Sequence, residues 1–343
     1  MTTPALTEQA PPTTPPTHKP GPRQALPVAA AIVAAVGLPF VVDSYLVSIA
    51  ATAIVLAILA MSTQLLTGVA GLPSLGQAAY LGAGAYTAAL LATTGVTNGP
   101  AQLAAAALTG GIAAAVTAPL LLRTRGVVFL MASFGVAELT RTIATQWARV
   151  TGGDDGVHTP PVTVWPGLPP LAGDGYRYLY CLACLCALAA GTAVLMRSRL
   201  VLALRGVADH EPRMAALGHH VDATLTRAFI AAGGLAGAGG ALLVAAHGYV
   251  SPADLGLDVS AMALLAAAIG MRSMRGAVAG AVLVVTVRDL AGAETGGHAP
   301  ALLGAVFLLV AYRPYLTARL DGWNARRRQR RFPLSGDDAA RQL

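Results

Sequence analysis

The sequence predicts an all-α protein: a polytopic membrane helix bundle of about ten transmembrane helices, with the N- and C-termini in the cytoplasm. Composition is the first observation behind this prediction. Hydrophobic residues make up 55% of the 343 residues and charged residues only 11%, whereas an average soluble domain is about a quarter charged. The mean hydropathy is +0.62. A chain this poor in charge has too few polar side chains to cover a soluble surface, so we expect it to lie in a bilayer.

Ten apolar runs are the second observation, and they give the predicted spans. A helix that crosses the hydrocarbon core needs about 20 apolar residues, and several runs are shorter than this. The weakest run, 259–270, could be a half-helix. The predicted spans are 26–42, 45–66, 76–94, 101–122, 126–147, 178–196, 225–247, 259–270, 276–291 and 300–312.

The distribution of charge is the third observation, and it predicts the topology. If ten crossings alternate from an inside N-terminus, four of the five inside loops carry arginine, and the tail after residue 312 carries a cluster of it. Short cytoplasmic loops of membrane proteins are enriched in arginine and lysine in this way. The outside segments hold few arginines but contain Asp154, Asp155, Asp174, Asp254, Asp258 and Glu294.

The two ends of the chain differ in composition from the region between them. Residues 1–25 are rich in Pro and Thr, and we expect a disordered cytoplasmic tail. Residues 26–313 form the predicted transmembrane domain, and residues 314–343 a basic cytoplasmic tail. The net charge of +7 comes almost wholly from arginine, since Lys19 is the only lysine. These arginines lie in loops and tail, so they indicate topology and contact with anionic lipid headgroups rather than nucleic acid.

The charged segment 197–227 is the one long interruption between apolar runs, and it contains five arginines. Its centre is typical of a short helix. Asp209 is a candidate N-cap, Pro212 is tolerated in the first turn, and Gly218 supplies a left-handed stop. Asp209 and Arg213 are spaced to pair across one turn. A solvated linker is the alternative, but thirty residues exceed what a linker needs, so we interpret the segment as a docking surface facing the cytosol.

Residues 65–91, LLTGVAGLPSLGQAAYLGAGAYTAALL, predict a broken helix. Five glycines and Pro73 interrupt the apolar pattern. Backbone freed at membrane depth must be buried in protein or line a cavity, and transporters place broken helices where substrate passes. Packing of small residues alone explains the pattern equally well. The candidate pathway residues in this stretch are Gly71, Ser74 and Gln77.

Two charged residues in the span 126–147 are the other candidates for a translocation pathway. Glu138 and Arg141 are three residues apart, and a charge near the bilayer centre costs about 3 kcal/mol. We therefore expect the pair to face the bundle, either as a structural ion pair or as a polar wall of the pathway. The following loop, 151–161, is rich in Gly and Asp and is a candidate acidic contact for a partner.

Further along, Gly233, Gly234 and Gly237 have the small-xxx-small spacing that lets a neighbouring helix approach closely. Two other function classes lack support. A membrane enzyme needs facing catalytic groups within the spans, and the histidines lie outside them or, for His247, at a helix end. Cys181, Cys184 and Cys186 have no fourth ligand for a metal, so we predict no catalytic or metal site. A stand-alone secondary transporter remains the alternative, although Glu138 is the one acidic group well inside a predicted span.

At these positions the chain resembles a known family, the membrane permease subunits of ABC importers for branched-chain amino acids, in particular the LivM-like subunit. Residues 66–86, LTGVAGLPSLGQAAYLGAGAY, are close to the family pattern LTGxxGxxSLGQAAFxGxGAY. The remaining matches occur in the family's order. They are Glu138, Arg141, Gly152, Gly153, Gly156, Arg205, Val207, Asp209, Glu211, Ala216, Leu217, Gly218, Ala228, Phe229, Ala236, Gly237, Ala241 and Pro252. The resemblance covers residues 65–312, and it departs from the pattern at Ala208, Pro212 and 268–280.

The resemblance implies a pore-forming subunit in a bacterial cell membrane that passes branched-chain or other small hydrophobic amino acids. Its implied partners are a second, homologous permease, two cytoplasmic ATPases and an extracytoplasmic substrate-binding protein. Segment 197–227 would be the coupling surface, through Arg205, Asp209, Glu211 and Gly218. No cofactor is expected in this chain, and the ATPases would bind ATP, because a phosphate loop needs a lysine that only Lys19 could supply. Similar permeases serve urea and short amides, so the solute stays open.

Overall fold

The computed structural model describes residues 25–164, 170–171, 173–270, 273–294, 304–305 and 308, with side chains from residue 33 onward except 290–294. Nearly all of this part of the chain is helical. The first five helices are α1 Ala25–Val41, α2 Ser44–Gln64, α3 Gln77–Thr93, α4 Gly99–Leu121 and α5 Gly126–Gln146. The others are α6 Ala148–Thr151, α7 Asp174–Leu195, α8 Arg199–Ala216, α9 Val221–His247, α10 Leu257–Ile269 and α11 Met274–Glu294.

Nine of the ten predicted spans correspond to these helices, within a few residues at each end. The tenth, 300–312, lies outside the described residues apart from positions 304, 305 and 308. So do the predicted tails 1–25 and 314–343, except for residue 25, which begins α1. Within the described part of the chain, five helices are long and apolar enough to cross a membrane. They are Ser44–Ala70, Gly99–Leu121, Gly126–Gln146, Asp174–Leu195 and Val221–His247.

Helix α10 is short, and its length fits the half-helix that was left open as one possibility for 259–270. Its 13 residues span roughly 20 Å, whereas the hydrocarbon core is about 30 Å thick. A 3₁₀ helix, Pro252–Leu255, precedes it. A side chain on Gly82 of α3 would overlap Leu255. The segment before α10 therefore packs into the bundle against α3.

Helix α9 is the centre of the bundle, where it packs against α2, α3 and α4. Both α2 and α9 are buried along most of their length, whereas α4, α5 and α7 bury one face only. Their outer faces present apolar side chains such as Leu108, Val116 and Leu139. In a bilayer these faces meet lipid or another membrane subunit.

Glycines set the distance between α9 and its neighbours, as the small-xxx-small pattern predicted. A Cβ on Gly110 of α4 would lie 2.5 Å from the Gly233 carbonyl oxygen and 2.8 Å from the Gly237 Cα. On the other side of α9, a Cβ on Gly240 would overlap the α3 backbone. Because only glycine lacks a Cβ, the backbones touch directly, which increases dispersion contacts between helices.

A small two-stranded antiparallel sheet lies at the end of the bundle where α5 and α9 terminate. Strand β1, Val157–His158, pairs antiparallel with β2, Tyr249–Val250. The predicted external loop 151–161 supplies β1. Gly156 has φ 68° and abuts the Val250 carbonyl group, so a side chain there is excluded. Asp154 and Asp155, which precede β1, are exposed, as they must be if these acidic side chains contact a partner.

Candidate functional site

The helix break predicted in residues 65–91 is present. Helix α2 continues as a π-helix, Leu65–Ala70, which ends at Gly71 with φ 73°. Six residues of non-helical chain, 71–76, then lead to α3. Short π-helical stretches inside α-helices are frequent at functional sites. The positive φ of Gly71 is the reason that this turn requires glycine.

Serine side chains from two other helices hold the backbone that the break frees. The Leu75 N–H donates to Ser133 Oγ of α5 at 3.0 Å, and the Ala78 N–H donates to Ser260 Oγ of α10 at 3.1 Å. Both serines are buried. The broken segment is therefore buried in protein at these amides, and it is tied to α5 and α10.

Ser74 and Gln77 are also buried in the break. Ser74 Oγ accepts a hydrogen bond from the Gly76 N–H at 3.2 Å. Ser62 Oγ lies 2.8 Å from the Gln77 amide group and 2.7 Å from the Ala232 carbonyl oxygen. The Gln77 atom at this distance is Oε1, and because a hydroxyl has one hydrogen, Ser62 donates to Gln77 Oε1 or to the Ala232 carbonyl oxygen, one at a time.

Glu138 and Arg141 form an ion pair on α5, with 3.3 Å between Oε2 and Nη1. Their side chains are 34% and 46% exposed, so the expectation that the pair faces this chain's own bundle is wrong. The reason is that α5 packs on one side only, against α3, α4 and the 3₁₀ helix Pro252–Leu255. Charges on the uncovered side of a membrane helix require a polar surface or a second protein against them.

The charged segment 197–227 consists mainly of one kinked helix, α8, rather than a loop with a short helix in it; residues 217–220 form a turn, and residues 221–227 begin α9. Val201, Leu204 and Val207 bury its apolar face. His210 has φ −160° and ψ 90°, which interrupts the helix. Pro212 explains the interruption, because its ring lacks an N–H and clashes with the carbonyl group four residues earlier.

This geometry corrects two expectations for segment 197–227 and agrees with a third. Asp209 lies in the helix before the kink, so His210, and not Asp209, precedes the second half. Glu211, rather than Asp209, carries the ion pair in this part of the described chain. Gly218 has φ 83° and ends the helix in the left-handed conformation, as predicted. Arg205 and Asp209 are exposed on the surface of α8.

Glu211 pairs with Arg125, a residue that the sequence did not single out. Arg125 Nη2 donates to Oε1 at 2.8 Å, and Nε donates to Oε2 at 3.0 Å. The same guanidinium donates to the Leu122 and Thr124 carbonyl groups. The hydrogen bonds lower the pKa of Glu211 below its usual value and raise the pKa of Arg125. Two parallel hydrogen bonds fix the orientation of both groups.

This ion pair joins the start of α5 to α8 at one end of the bundle. Arg125 is the residue from which α5 begins, and Glu211 follows the kink of α8. Between them and the end of the π-helix lies a cavity of about 250 Å³, lined in part by Gly71 and Ala208. Glu211, after the kink, thus contacts the residue that precedes α5, whereas Ala208, before the kink, lies next to Gly71 at the helix break.

The candidate residues thus fall into two groups. Glu211 lies with Gly71 and Arg125 around the cavity, whereas Glu138 and Arg141 lie further along α5. The sequence pattern did not indicate a role for Arg125, Ser133 or Ser260. The arginine-rich loop 123–125 was a signal for the first, since it was predicted on the same side as segment 197–227. A serine in an apolar run gives no comparable signal.

Comparison with known proteins adds the family. A family model described as "Branched-chain amino acid transport system / permease component" matches residues 45–311. Two similar relatives are the high-affinity branched-chain amino acid transport system permease proteins LivM of Escherichia coli (strain K12) and Salmonella typhimurium (strain LT2). Each is 27% identical over 316 residues, covering 85% of this chain and 74% of the relative. No solved structure matches the chain significantly. Since the family model spans most of the chain, this protein belongs to the family of permease components of branched-chain amino acid transport systems.

Proposed function

We propose that this chain is the membrane-spanning permease subunit of an ABC importer and forms the translocation pathway together with a second, homologous permease. Its cargo would be branched-chain or other small hydrophobic amino acids, which an extracytoplasmic binding protein delivers. Two cytoplasmic ATPases would bind ATP and dock at segment 197–227. The bundle would have ten crossings with both termini inside a bacterial cell membrane, and residues 1–25 and 314–343 would be cytoplasmic tails.

The observation that carries this proposal is the Arg125–Glu211 ion pair. Segment 197–227 offers a docking surface, since Leu202 and Leu217 are 73% and 68% exposed beside the exposed Arg205 and Asp209. Movement of a docked ATPase would displace the second half of α8. The two hydrogen bonds from Glu211 to Arg125 would carry that displacement to the start of α5.

A displacement of α5 would move the Glu138–Arg141 pair, which lies on the uncovered face of this helix. A second permease against this face would cover the charges and make them one wall of a pathway between the two subunits. The break at Gly71, Ser74 and Gln77 would then open or close the inner end of that pathway. Its Leu75 amide is tied to α5 through Ser133, so the two parts would move together.

The experiment that tests this proposal breaks the pair in the assembled importer. Arg125→Gln and Glu211→Gln each remove one charge, and exposed ion pairs contribute only about 0.2–1 kcal/mol to stability. We therefore expect a folded complex that still hydrolyses ATP but takes up less amino acid per ATP in proteoliposomes. The double variant Arg125→Glu/Glu211→Arg should recover part of the lost uptake.

Arg123→Gln is the matched control. Arg123 lies in the same loop and is exposed, so this variant makes the same chemical change two residues away. Uptake per ATP should stay at the wild-type value. Equal losses for Arg123→Gln and Arg125→Gln would show that loop charge, and not the pair, matters. Unchanged coupling in both Arg125→Gln and Glu211→Gln would refute the proposed route.

A further inference from the structure

A second cavity, of about 350 Å³, lies between α2, α9, α10 and α11. Part of its lining is polar and open to the outside. His247 is the last residue of α9, and its Nε2 lies 3.4 Å from Thr52 Oγ1 of α2. Arg288 belongs to α11, and both His247 and Arg288 are exposed. These side chains form the rim of the cavity, at the end of the bundle where α9 terminates.

Away from this rim the lining is apolar and buried. Leu59 lies seven residues beyond Thr52 on α2, or about 10 Å along the helix. It is fully buried, as is Leu81 of α3, which also lines the cavity. The wall between the rim and these two residues is mainly aliphatic, from Val55, Leu56, Leu243, Val259, Met262 and Val285. The cavity is therefore a crevice with a charged mouth and an apolar floor.

The rim lies near the level of the lipid headgroups when α11 crosses the bilayer, as the sequence predicts. Helix α11 has 21 residues and spans about 31 Å, close to the thickness of the hydrocarbon core, about 30 Å. Arg288 lies six residues before Glu294, the end of the helix, which is about 9 Å along the axis. Arginine side chains near helix ends extend to the interface. The guanidinium group of Arg288 is thus placed to meet a headgroup.

The mouth carries charges of both signs that do not saturate one another. Arg288 Nε lies 3.9 Å from Asp289 Oδ1, beyond hydrogen-bond distance, and Nη1 donates to the Met262 sulfur at 3.5 Å. Within the described residues, these contacts leave the guanidinium fork available for a phosphate, which arginine binds through two parallel hydrogen bonds. Asp289 is 28% exposed beside it, and Asp254 also lines the cavity. One cation and two carboxylates favour a headgroup that is itself both anionic and cationic.

We propose that this crevice binds a zwitterionic phospholipid with a primary ammonium group, as in phosphatidylethanolamine. Arg288 binds the phosphate, Asp289 accepts hydrogen bonds from the ammonium group, and the aliphatic wall packs against one acyl chain. Phosphatidylcholine has a quaternary ammonium group without N–H donors, so it cannot make the second contact. Phosphatidylglycerol has no cation, so both carboxylates would face its negative charge. The inference does not depend on which solute the protein transports.

The test is native mass spectrometry of the delipidated, detergent-purified chain, with any subunits that stay bound to it. The probes are dioleoyl phospholipids that differ only in their headgroup. We expect the wild type to bind the phosphatidylethanolamine more tightly than the phosphatidylcholine or the phosphatidylglycerol. Arg288 is half-exposed, so Arg288→Gln should weaken phosphatidylethanolamine binding by about 10-fold, the lower end of the range for hydrogen bonds to charged groups.

Three further variants keep the test decisive. Arg275→Gln makes the same change on an exposed arginine at the other end of α11, and it should bind all three lipids as the wild type does. Asp289→Asn should reduce the preference for phosphatidylethanolamine over phosphatidylcholine, whereas Arg288→Gln should weaken both. Val259→Phe narrows the apolar part and should weaken binding whatever the headgroup. Unchanged helical content and elution volume check that each variant is folded.

Three results would overturn the inference. Equal affinities of the wild type and Arg288→Gln for phosphatidylethanolamine would remove the headgroup site. Equal losses for Arg275→Gln and Arg288→Gln would show that any arginine of the helix attracts lipid. Tighter binding of phosphatidylglycerol than of phosphatidylethanolamine by the wild type would show attraction to the basic surface as a whole.

Discussion

Replacing Gly110 with alanine should push α4 away from α9. The new Cβ would lie 2.5 Å from the Gly233 carbonyl oxygen, 2.8 Å from the Gly237 Cα and 3.0 Å from the Gly237 nitrogen. Favourable contacts with carbon lie at about 3.5–4.0 Å, so the helices must separate by about an ångström. All three neighbours are backbone atoms, and no side-chain rotation relieves the overlap.

The magnitude follows from two opposing effects. Overpacking of a core costs about 1–3 kcal/mol, and contact with three backbone atoms places Gly110→Ala at the upper end. Alanine stabilises a helix by about 1 kcal/mol relative to glycine. The net loss is about 2 kcal/mol, which corresponds to a fall of about 3 °C in the thermal midpoint of a chain of 343 residues.

The adjacent glycine provides the control. A Cβ on Gly111 would lie 3.6 Å from the Ile230 carbonyl oxygen and 3.7 Å from its Cγ2, which is ordinary van der Waals contact. Gly111→Ala should therefore keep or slightly raise the midpoint. Thermal denaturation of the detergent-solubilised complex, at one scan rate for all variants, measures both. Equal midpoints for the two variants, or a larger loss for Gly111→Ala, would refute the close crossing.

Four other predictions concern coupling, charge, topology and energy supply. Gly218→Val puts a β-branched residue at a positive φ, at a cost of about 1–2 kcal/mol, so uptake should be abolished and co-purification of the ATPase reduced; full retention of both would contradict a docking role. The pKa of Glu211 lies below its usual value of 4.5, so above pH 4.5 its carboxylate is ionised and the pair with Arg125 stabilises the fold. This stabilisation is lost only as the pH falls through the lowered pKa. The difference in thermal midpoint between wild type and Glu211→Gln should thus be constant from neutral pH to about pH 5 and narrow below it. In a cysteine-free background, Asp155→Cys should react with an impermeant thiol reagent outside intact cells and His219→Cys should not; equal labelling would overturn the topology. The isolated chain should hydrolyse no ATP in a phosphate-release assay. Phosphate release by the isolated chain would contradict the proposal that separate subunits hydrolyse the ATP.

Helices and glycine positions were predictable because they depend on local chemistry. Apolar runs can satisfy their backbone in lipid only as helices, and nine of them are helices here. Gly218 was predicted because a left-handed stop disfavours any side chain. The start of the second half of α8 was misplaced by one residue, since Asp209 is a better N-cap than His210 on propensity. Pro212 decides the position of the kink instead, through its clash with the preceding turn.

The contacts of the candidate site were not predictable, because they depend on the packing of distant segments. Arg125 and Glu211 are 86 residues apart, and nothing local distinguishes Arg125 from Arg123. The spacing of Glu138 and Arg141 does predict their pairing on one helix. Which face of α5 stays uncovered depends on how α3 and α4 pack beside it.

The shortness of α10 has a consequence for how the protein is made. A helix of about 20 Å leaves about 10 Å of the hydrocarbon core to the segment before it, which includes Asp254. Polar backbone cannot be released into lipid at that depth. During synthesis, the residues from 248 to 269 therefore cannot pass from the protein-conducting channel of the insertion machinery into lipid as an independent span. They must wait until α11, synthesised later, is available to pack beside them, so nascent chains that end near residue 270 should remain accessible to protease while longer ones become protected.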